Sequence, residues 1–436
     1  MRKLQLHTQI FIAIVLGITA GWLTGDEGQL FGVTFYSVYD FVGTLFINAL
    51  RMLIVPLIMS SIIVGVAGIG SGGNLGRLGG KTLLFYGVTT LLAILIGLVL
   101  VNLVQPGIVA GEPARELLAL EETTRAVAAS VGAGADAGGM GQLAQMFVSM
   151  VPPNIVQAAA DGQMLGLIFF SIVFGYFMTR VGHEHGDALY RFWDALFAVM
   201  MKITIWVMAF APIGVFGLVA RTVARTGFDA AQPLIVFSLT VLGALALHAI
   251  LVIPALVKFV AKASPIALYR AAAPALLTAF STASSAATLP ITMNSMERRA
   301  GVSNRTSSFV LPLGATVNMN GTALYECVAA MFIAQAYGLE LSFGIQFIIV
   351  VTALVTSVGV AGIPSASLVA IAIILAAVGL PVEAIGVLFV FDRILDMART
   401  AINILGDCAC AVIIAKLEGE EGVLTGEVTA PAPARA

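Results

Sequence analysis

Residues 315–326 read ATVNMNGTALYE. An apolar stretch, Phe309-Val310-Leu311-Pro312-Leu313, leads in, and Cys327 to Ile333 leads out. The run halts for Asn318-Met319-Asn320-Gly321-Thr322, and Glu326 follows one turn later. In water this would be an ordinary loop. In a membrane, backbone that leaves a helix is tolerated only where it is buried in protein or faces a wet cavity.

The composition puts this stretch in a membrane. The chain has 436 residues, 59% hydrophobic and 11% charged, with mean hydropathy +1.01. Soluble domains carry about 25% charged residues. Several apolar runs exceed the ~20 residues a helix needs to cross a bilayer. The reading is an all-α polytopic membrane protein; a β-barrel would show short alternating segments instead. The net charge of −2 gives no ground for a nucleic-acid partner. Arg2 and Lys3 precede the first apolar run, which reads as a retained helix. Cys327, Cys408 and Cys410 lie in apolar context, so packing is expected rather than a disulfide or zinc site.

Six ordinary spans are expected, roughly at 8–25, 41–68, 81–105, 162–180, 187–222 and 233–262. Arg51 and Pro56 interrupt the second, and Ala211-Pro212-Ile213-Gly214 breaks the fifth. The segment 107–146 reads as a solvated loop. Lys and Arg in short connections put both termini in the cytoplasm. Arg221 and Arg225 then fall outside, the one poor fit.

After Lys262 the apolar segments are broken twice. Residues 281–290 read STASSAATLP, and residues 356–365 read TSVGVAGIPS. Each is a cluster of small residues closing on a proline, the expected form of a re-entrant hairpin tip. A helix with an Asn-x-x-Gly element follows each: Asn318 to Gly321, then Asn403 to Gly406. Paired interruptions in corresponding halves are the best sequence pointer to a transporter's binding site.

The last span supplies the chemistry. In FDRILDMARTAINILGD, residues 391–407, Asp392, Asp396, Arg399, Asn403 and Asp407 are spaced by 4, 3, 4 and 4. They therefore share one stripe of a helix. Intramembrane ionisable residues are costly and mark functional sites by default. The bland alternative is a self-neutralising network, with Asp396 and Arg399 as an i,i+3 pair. Arg399 is a planar fork suited to a carboxylate, and Asp396 suits an ammonium. Half-helix N-termini at the hairpin tips favour a second carboxylate. The implied ligand is a small acidic amino acid. Asp407 beside freed carbonyls is a hard-oxygen site for Na⁺.

At these residues the sequence resembles the dicarboxylate/amino acid:cation symporter family, which includes the excitatory amino acid transporters. The matching stretches are Ser281–Pro290, Leu311–Glu326, Ser357–Ser365 and Asp392–Asp407. The resemblance implies eight transmembrane helices plus two re-entrant hairpins, in an elevator-type homotrimer embedded in lipid. It divides the chain into scaffold helices 1 and 2 (1–80), transport-domain helix 3 (81–106) and scaffold helices 4 and 5 (107–232). The rest of the transport domain (233–416) and a cytoplasmic tail (417–436) follow. The expected location is a bacterial inner membrane.

By matching position, Arg399 would bind the substrate's side-chain carboxylate and Asp396 its amino group. Thr322, Thr400 and Asn403 would add contacts, and Ser284, Ser285 and Gly362 would hold the α-carboxylate. One Na⁺ site would use Gly314, Asn318, Asn403 and Asp407. A second would use carbonyls of Thr316, Ser357, Val358 and Val360. A third would use Tyr86, Thr89, Thr90, Asn318 and position 320. There relatives usually carry Asp and this chain has Asn320, which puts the third site in doubt. Ala283 stands where some relatives carry arginine, and Arg393 is a candidate to compensate. Glu326 is a proton-carrier candidate, so H⁺ joins Na⁺ as a coupling ion.

The resulting expectation is a symporter for L-aspartate or L-glutamate. A C4-dicarboxylate carrier stands as the alternative, with a neutral amino acid carrier behind it. Asp396 argues against the former and Arg399 against the latter. An anion leak between the domains is a plausible side activity. No HExxH or Gly-x-Ser-x-Gly motif points to an enzyme. His248 is expected to be packing, held by hydrogen bonds.

Overall fold

The computed structural model describes residues 6–70, 76–118, 120, 127, 148, 151–160, 164–227, 231–359 and 367–425. Helices α1 (Leu6–Thr24), α2 (Phe35–Gly70) and α3 (Gly76–Val104) open the chain. Then come α4 (Ile155–Ala160), α5 (Met164–Met178), α6 (His183–Ala209) and α7 (Ala211–Thr226). Next are α8 (Ala231–Leu247), a π-helical turn (His248–Val252) and α9 (Ile253–Phe259). The final part holds α10 (Pro265–Thr282), α11 (Ser285–Arg298), α12 (Asn304–Val317) and α13 (Asn320–Ala336). It ends with α14 (Phe343–Gly359), α15 (Ser367–Ala377), a 3₁₀ stretch (Val382–Leu388) and α16 (Phe389–Leu417).

The protein is mostly helical. Among the described residues, three helical stretches are long and apolar enough to cross a membrane: Leu78–Val104, Ala231–Phe259 and Val382–Leu417. Glu184–Val207 and Ala211–Arg225, bent by 53°, make a fourth if read as one span. That bend falls at the expected Ala211-Pro212 breaker. Pro56, by contrast, does not end α2, which runs on from Phe35 to Gly70.

Two antiparallel ribbons are the only strands among the described residues: β1 (Gln29–Leu30) with β2 (Val33–Thr34), and β3 (Ile108–Val109) with β4 (Glu112–Pro113). Phe31 and Gly32 both have positive φ, the conformation of a tight two-residue hairpin. The second ribbon corrects the expectation of a solvated loop at its near end. Gln335 Oε1 accepts from Gly107 N, and Ala114 and Leu118 are buried. Most of 119–147 lies outside the described residues.

One group of helices gathers around α2, which packs on α5, α6 and α7, with α1 laid along α7. A Cβ on Gly21 would meet the backbone of Ala220 and Ala224, so glycine lets α1 approach this closely. Asp40 and Arg221 pair at 2.6 Å across α2 and α7. That ion pair gives a partner to Arg221, one of the two cations that fitted the loop charges poorly. The other group gathers around α13, all 17 residues of which are buried. It packs on α3, α8, α14, α15 and α16, while α10 and α12 lie on α16.

Three breaks shape this second group. In the first hairpin only Ala283 and Ser284 leave the helix; Ala283 is left-handed, and Ser284 Oγ accepts from Ala287 N. Pro290 sits inside α11 rather than at the tip. In the second break only Asn318 and Met319 are non-helical. The third is the π-turn at His248. It precedes Pro254, whose ring would clash with the carbonyl four residues back and which has no N–H to give, so the wider turn relieves the strain.

A strap after α16 ties down the far end of α12. Glu420 accepts from Ser303 N at 2.8 Å and from Ser303 Oγ at 2.6 Å, and Thr306 Oγ1 joins at 2.5 Å. Lys81 pairs with Glu418 at 2.6 Å, which holds the start of α3 to the same strap.

Candidate functional site

The break between α12 and α13 lies against the middle of α16. Asn318 Nδ2 donates to Asp407 Oδ1 at 2.7 Å and lies 3.4 Å from Asn403 O. Asn403 ties the other side: its Oδ1 accepts from Gly321 N at 2.8 Å, and its Nδ2 donates to Thr322 Oγ1 at 3.1 Å. Glycine is required at both crossings. A Cβ on Gly321 would meet the main chain of Arg399, and one on Gly314 would collide with the Asp407 carboxylate and the Tyr86 hydroxyl. Thus Asn318, which halts the apolar run, and Asn403 on α16 supply the amides that join the two helices.

The α16 stripe is buried along its whole length: Asp392, Asp396, Arg399, Asn403 and Asp407. Arg399 Nη2 donates to Asp392 Oδ1 and to Asp396 Oδ1, each at 3.0 Å. Its guanidinium stacks 3.8 Å from the Tyr325 ring centroid, a cation–π contact. Arg393 Nη1 lies 3.6 Å from Asp396 Oδ2. The i,i+3 pair weighed as the bland alternative therefore does form. It does not exhaust the arginine: Arg399 Nε and Nη1 are buried with no hydrogen-bond partner among the described residues. A guanidinium with two donors to spare can take a planar anion.

Around this core, Thr400 Oγ1 donates to Asp396 O within α16, and Ser285 is buried in the opening turn of α11. Thr316 Oγ1 donates to Leu313 O and Ser357 Oγ to Leu354 O, so both hydroxyl hydrogens are used within their own helices. Val358 is in the last turn of α14, and its side chain is not described. Val360 and Gly362 lie outside the described residues.

Glu326 sits on α13 under the hairpin formed by α14 and α15. Its Oε2 is 3.0 Å from Thr356 Oγ1. Glu326 Oε1, Thr352 Oγ1 and Ser367 Oγ are buried with no hydrogen-bond partner among the described residues. On the opposite flank Thr90 Oγ1 donates to Asn320 Oδ1 at 2.9 Å, and Asn320 Nδ2 lies 3.5 Å from His248 Nε2. Tyr86 Oη donates to Val310 O at 2.9 Å and Thr89 Oγ1 to Phe85 O at 2.9 Å.

Several participants went unassigned in the sequence. Tyr325, Thr352 and Thr356 carry no charge and look like ordinary membrane residues until the fold sets them on Arg399 and Glu326. Asp392 was visible on the stripe, but its grip on Arg399 was not. His248 is buried as expected, but its polar contact is a single one, Nε2 3.5 Å from Asn320, while Nδ1 has no hydrogen-bond partner among the described residues.

Two arginines and two aspartates, a formally net-neutral group, thus cluster beside the broken helices. Residues 6–417 match the family model described as the sodium:dicarboxylate symporter family, and the chain belongs to that family. It is 38% identical over 421 residues to the proton/glutamate-aspartate symporter of Escherichia coli, covering 95% of this chain and 93% of that protein. It is 35% identical over 427 residues to the proton/sodium-glutamate symport protein of Bacillus caldotenax, covering 96% of each. Excitatory amino acid transporter 3 of Mus musculus is also 35% identical, over 459 residues, covering 94% of this chain and 84% of that protein.

Proposed function

We propose that this protein is a secondary active symporter, not an enzyme, that carries L-aspartate or L-glutamate across the cell membrane with Na⁺ and H⁺. The observation that carries this reading is Arg399, buried and braced by two aspartates, with two donors left for a carboxylate. The names of the relatives, glutamate and aspartate symporters coupled to sodium or protons, agree with it. Arg399 would bind the side-chain carboxylate, Asp396 the ammonium, and Thr322, Thr400 and Asn403 would line the site. The start of α11 at Ser284 and Ser285, with Gly362, would hold the α-carboxylate.

Na⁺ would sit at Gly314, Asn318, Asn403 and Asp407. The donor set suits it: Asp407 is an enclosed carboxylate, and Asn318 Oδ1 is buried with no hydrogen-bond partner among the described residues. Carbonyls of Thr316, Ser357, Val358 and Val360 would form a second site. Glu326 would carry the proton. Thr356 has one hydroxyl hydrogen, and Thr352 O lies 2.8 Å from its oxygen. When that hydrogen goes to Glu326, the carboxylate accepts; when it goes to Thr352 O, a protonated Glu326 can donate. Both protonation states thus keep a partner.

In the proposed arrangement α1, α2, α3, α5, α6–α7, α8–α9, α12–α13 and α16 are the eight spans. The pairs α10–α11 and α14–α15 are re-entrant hairpins. The group around α2 is the scaffold of a lipid-embedded homotrimer. The group around α13, with α3, is the moving elevator domain, and both termini face the cytoplasm. The richer packing within each group than between them supports this division. Substrate and cations would both favour closure of the second hairpin, so coupling is a shared conformational equilibrium.

A second reading, a C4-dicarboxylate carrier, draws on one contact: Arg393 and Arg399 both attend Asp396, which offsets its charge. Uptake of radiolabelled aspartate into proteoliposomes under imposed Na⁺ and H⁺ gradients tests the choice. Gradient-driven uptake that succinate blocks only weakly is expected. Strong block at micromolar succinate, or no aspartate uptake, would overturn the amino acid reading.

A further inference from the structure

Two polar clusters flank the break between α12 and α13, and they differ in charge. The Asp407 cluster is anionic and has an oxygen to spare, Asn318 Oδ1. The cluster on the other flank joins α3, the π-turn and α13 through Thr90, Asn320 and His248. No carboxylate takes part in it among the described residues. The Asn320 oxygen already accepts from Thr90, and its amide nitrogen faces the imidazole. Turning the amide over leaves the same outcome, because its nitrogen would then donate to Thr90 and its oxygen would meet the ring nitrogen. The nearby hydroxyls give their hydrogens to carbonyls, Thr89 to Phe85 O and Tyr86 to Val310 O, so they offer only neutral oxygens.

A cation held among Thr90, Asn320 and His248 would lose its water and meet only neutral groups there, because the carboxylate beside Tyr86, Asp407, is already bonded to Asn318 on the other flank. Hard cations seek oxygen-rich sites, and burying a charge without an opposite one is costly. The imidazole is held in place by the backbone, since the π-turn that carries it is the one Pro254 demands.

We infer that the third Na⁺ site implied by the family resemblance is closed in this chain. Thr90, Asn320 and His248 form a neutral hydrogen-bonded lock between α3, the π-turn and α13. Na⁺ coupling is left to the other two sites. This rests on the reading of the protein as a Na⁺-coupled carrier.

The test uses the full-length protein in detergent. Binding of tritiated L-aspartate is measured over a range of Na⁺ concentrations, and the slope of log Kd against log [Na⁺] counts the coupled cations. A slope of about two is expected for the wild type and about three for Asn320→Asp. A wild-type slope of about three, or an Asn320→Asp slope equal to the wild type's, overturns the proposal. The rise of Tm with Na⁺ in the absence of amino acid is measured in parallel. It reports cation binding even if aspartate is not the substrate, so failure of that reading shows separately. Should Asn320→Asp not fold, Thr90→Ala decides: a lower Tm with the Na⁺ dependence intact supports the lock, and a weakened Na⁺ dependence refutes it.

Discussion

Replacing Gly321 by alanine tests whether the crossing of α13 and α16 builds the site. The added Cβ would lie 2.7 Å from Arg399 O, 3.0 Å from its Cα and 3.2 Å from its carbonyl carbon. All three are backbone atoms, so no side chain can swing aside. Restoring ordinary contact requires the helices to part by about 0.6 Å. The Gly321 N to Asn403 Oδ1 bond, now 2.8 Å, would stretch beyond the usual ~3.2 Å limit. Overpacking of this kind costs about 1–3 kcal/mol, and a weakened buried hydrogen bond adds about 1 kcal/mol. If the sum, about 2–4 kcal/mol, falls on the bound state, affinity drops roughly 30- to 1,000-fold. Binding of radiolabelled aspartate to purified Gly321→Ala reads this directly, with Tm as a control for folding. Gly87→Ala on α3 is the matched comparison, because nothing lies within 4 Å of its added Cβ. A Gly321→Ala affinity within threefold of the wild type, with unchanged Tm, would refute the close crossing.

Three other outcomes follow from the same contacts. Arg399→Lys keeps the charge but not the fork that meets Asp392 and Asp396 while leaving donors over; acidic-substrate binding should weaken at least ~10-fold with the chain still folded, as measured by equilibrium binding. Glu326→Gln keeps the size and the contact to Thr356 but cannot exchange a proton, so uptake into proteoliposomes should lose its response to a pH gradient; an unchanged response would rule out Glu326 as the carrier. Glu420→Ala removes the acceptor shared by Ser303 and Thr306 at the start of α12, a cap-like loss of about 1 kcal/mol, visible as a lowered Tm.

The strap fixes the ends of three helices against one another. Glu420 fixes the start of α12, and Lys81 with Glu418 fixes the start of α3, both to the end of α16. The three helices that carry Thr90, Asn318 and Asp407 are thereby tied at one end. Near the centre they are tied again, by Asn318 to Asp407 and by Thr90 to Asn320.

Much of this was legible in the chain. Apolar runs set the helices, because a lipid solvent rewards a continuous hydrogen-bonded backbone. The 4, 3, 4, 4 spacing put five polar residues on one face of α16, because helical geometry fixes that face. The second hairpin was visible only as composition, and residues 360–366 at its tip lie outside the described residues. Two boundaries were misjudged. Pro56 looked like an interruption, yet α2 continues through it, since packing on α5, α6 and α7 holds the helix together. Pro290 looked like a tip, yet it lies in α11, because the left-handed turn is made earlier, at Ala283.

The sequence by itself determined that this protein lives in a membrane, where its helices break, and which side chains share the stripe on α16. Those properties are local: each follows from hydropathy, spacing or turn chemistry within a few turns of chain. Tertiary structure alone decided the partners. Asn318 meets Asp407 across 89 positions, Thr90 meets Asn320 across 230, and His248 closes on Asn320 across 72. An asparagine can accept a hydroxyl, donate to a carboxylate or coordinate a cation, and its own sequence neighbours do not choose among these. The choice belongs to whichever distant helix arrives beside it, which is why ATVNMNGTALYE announced a site while only the packed helices gave its two asparagines different roles.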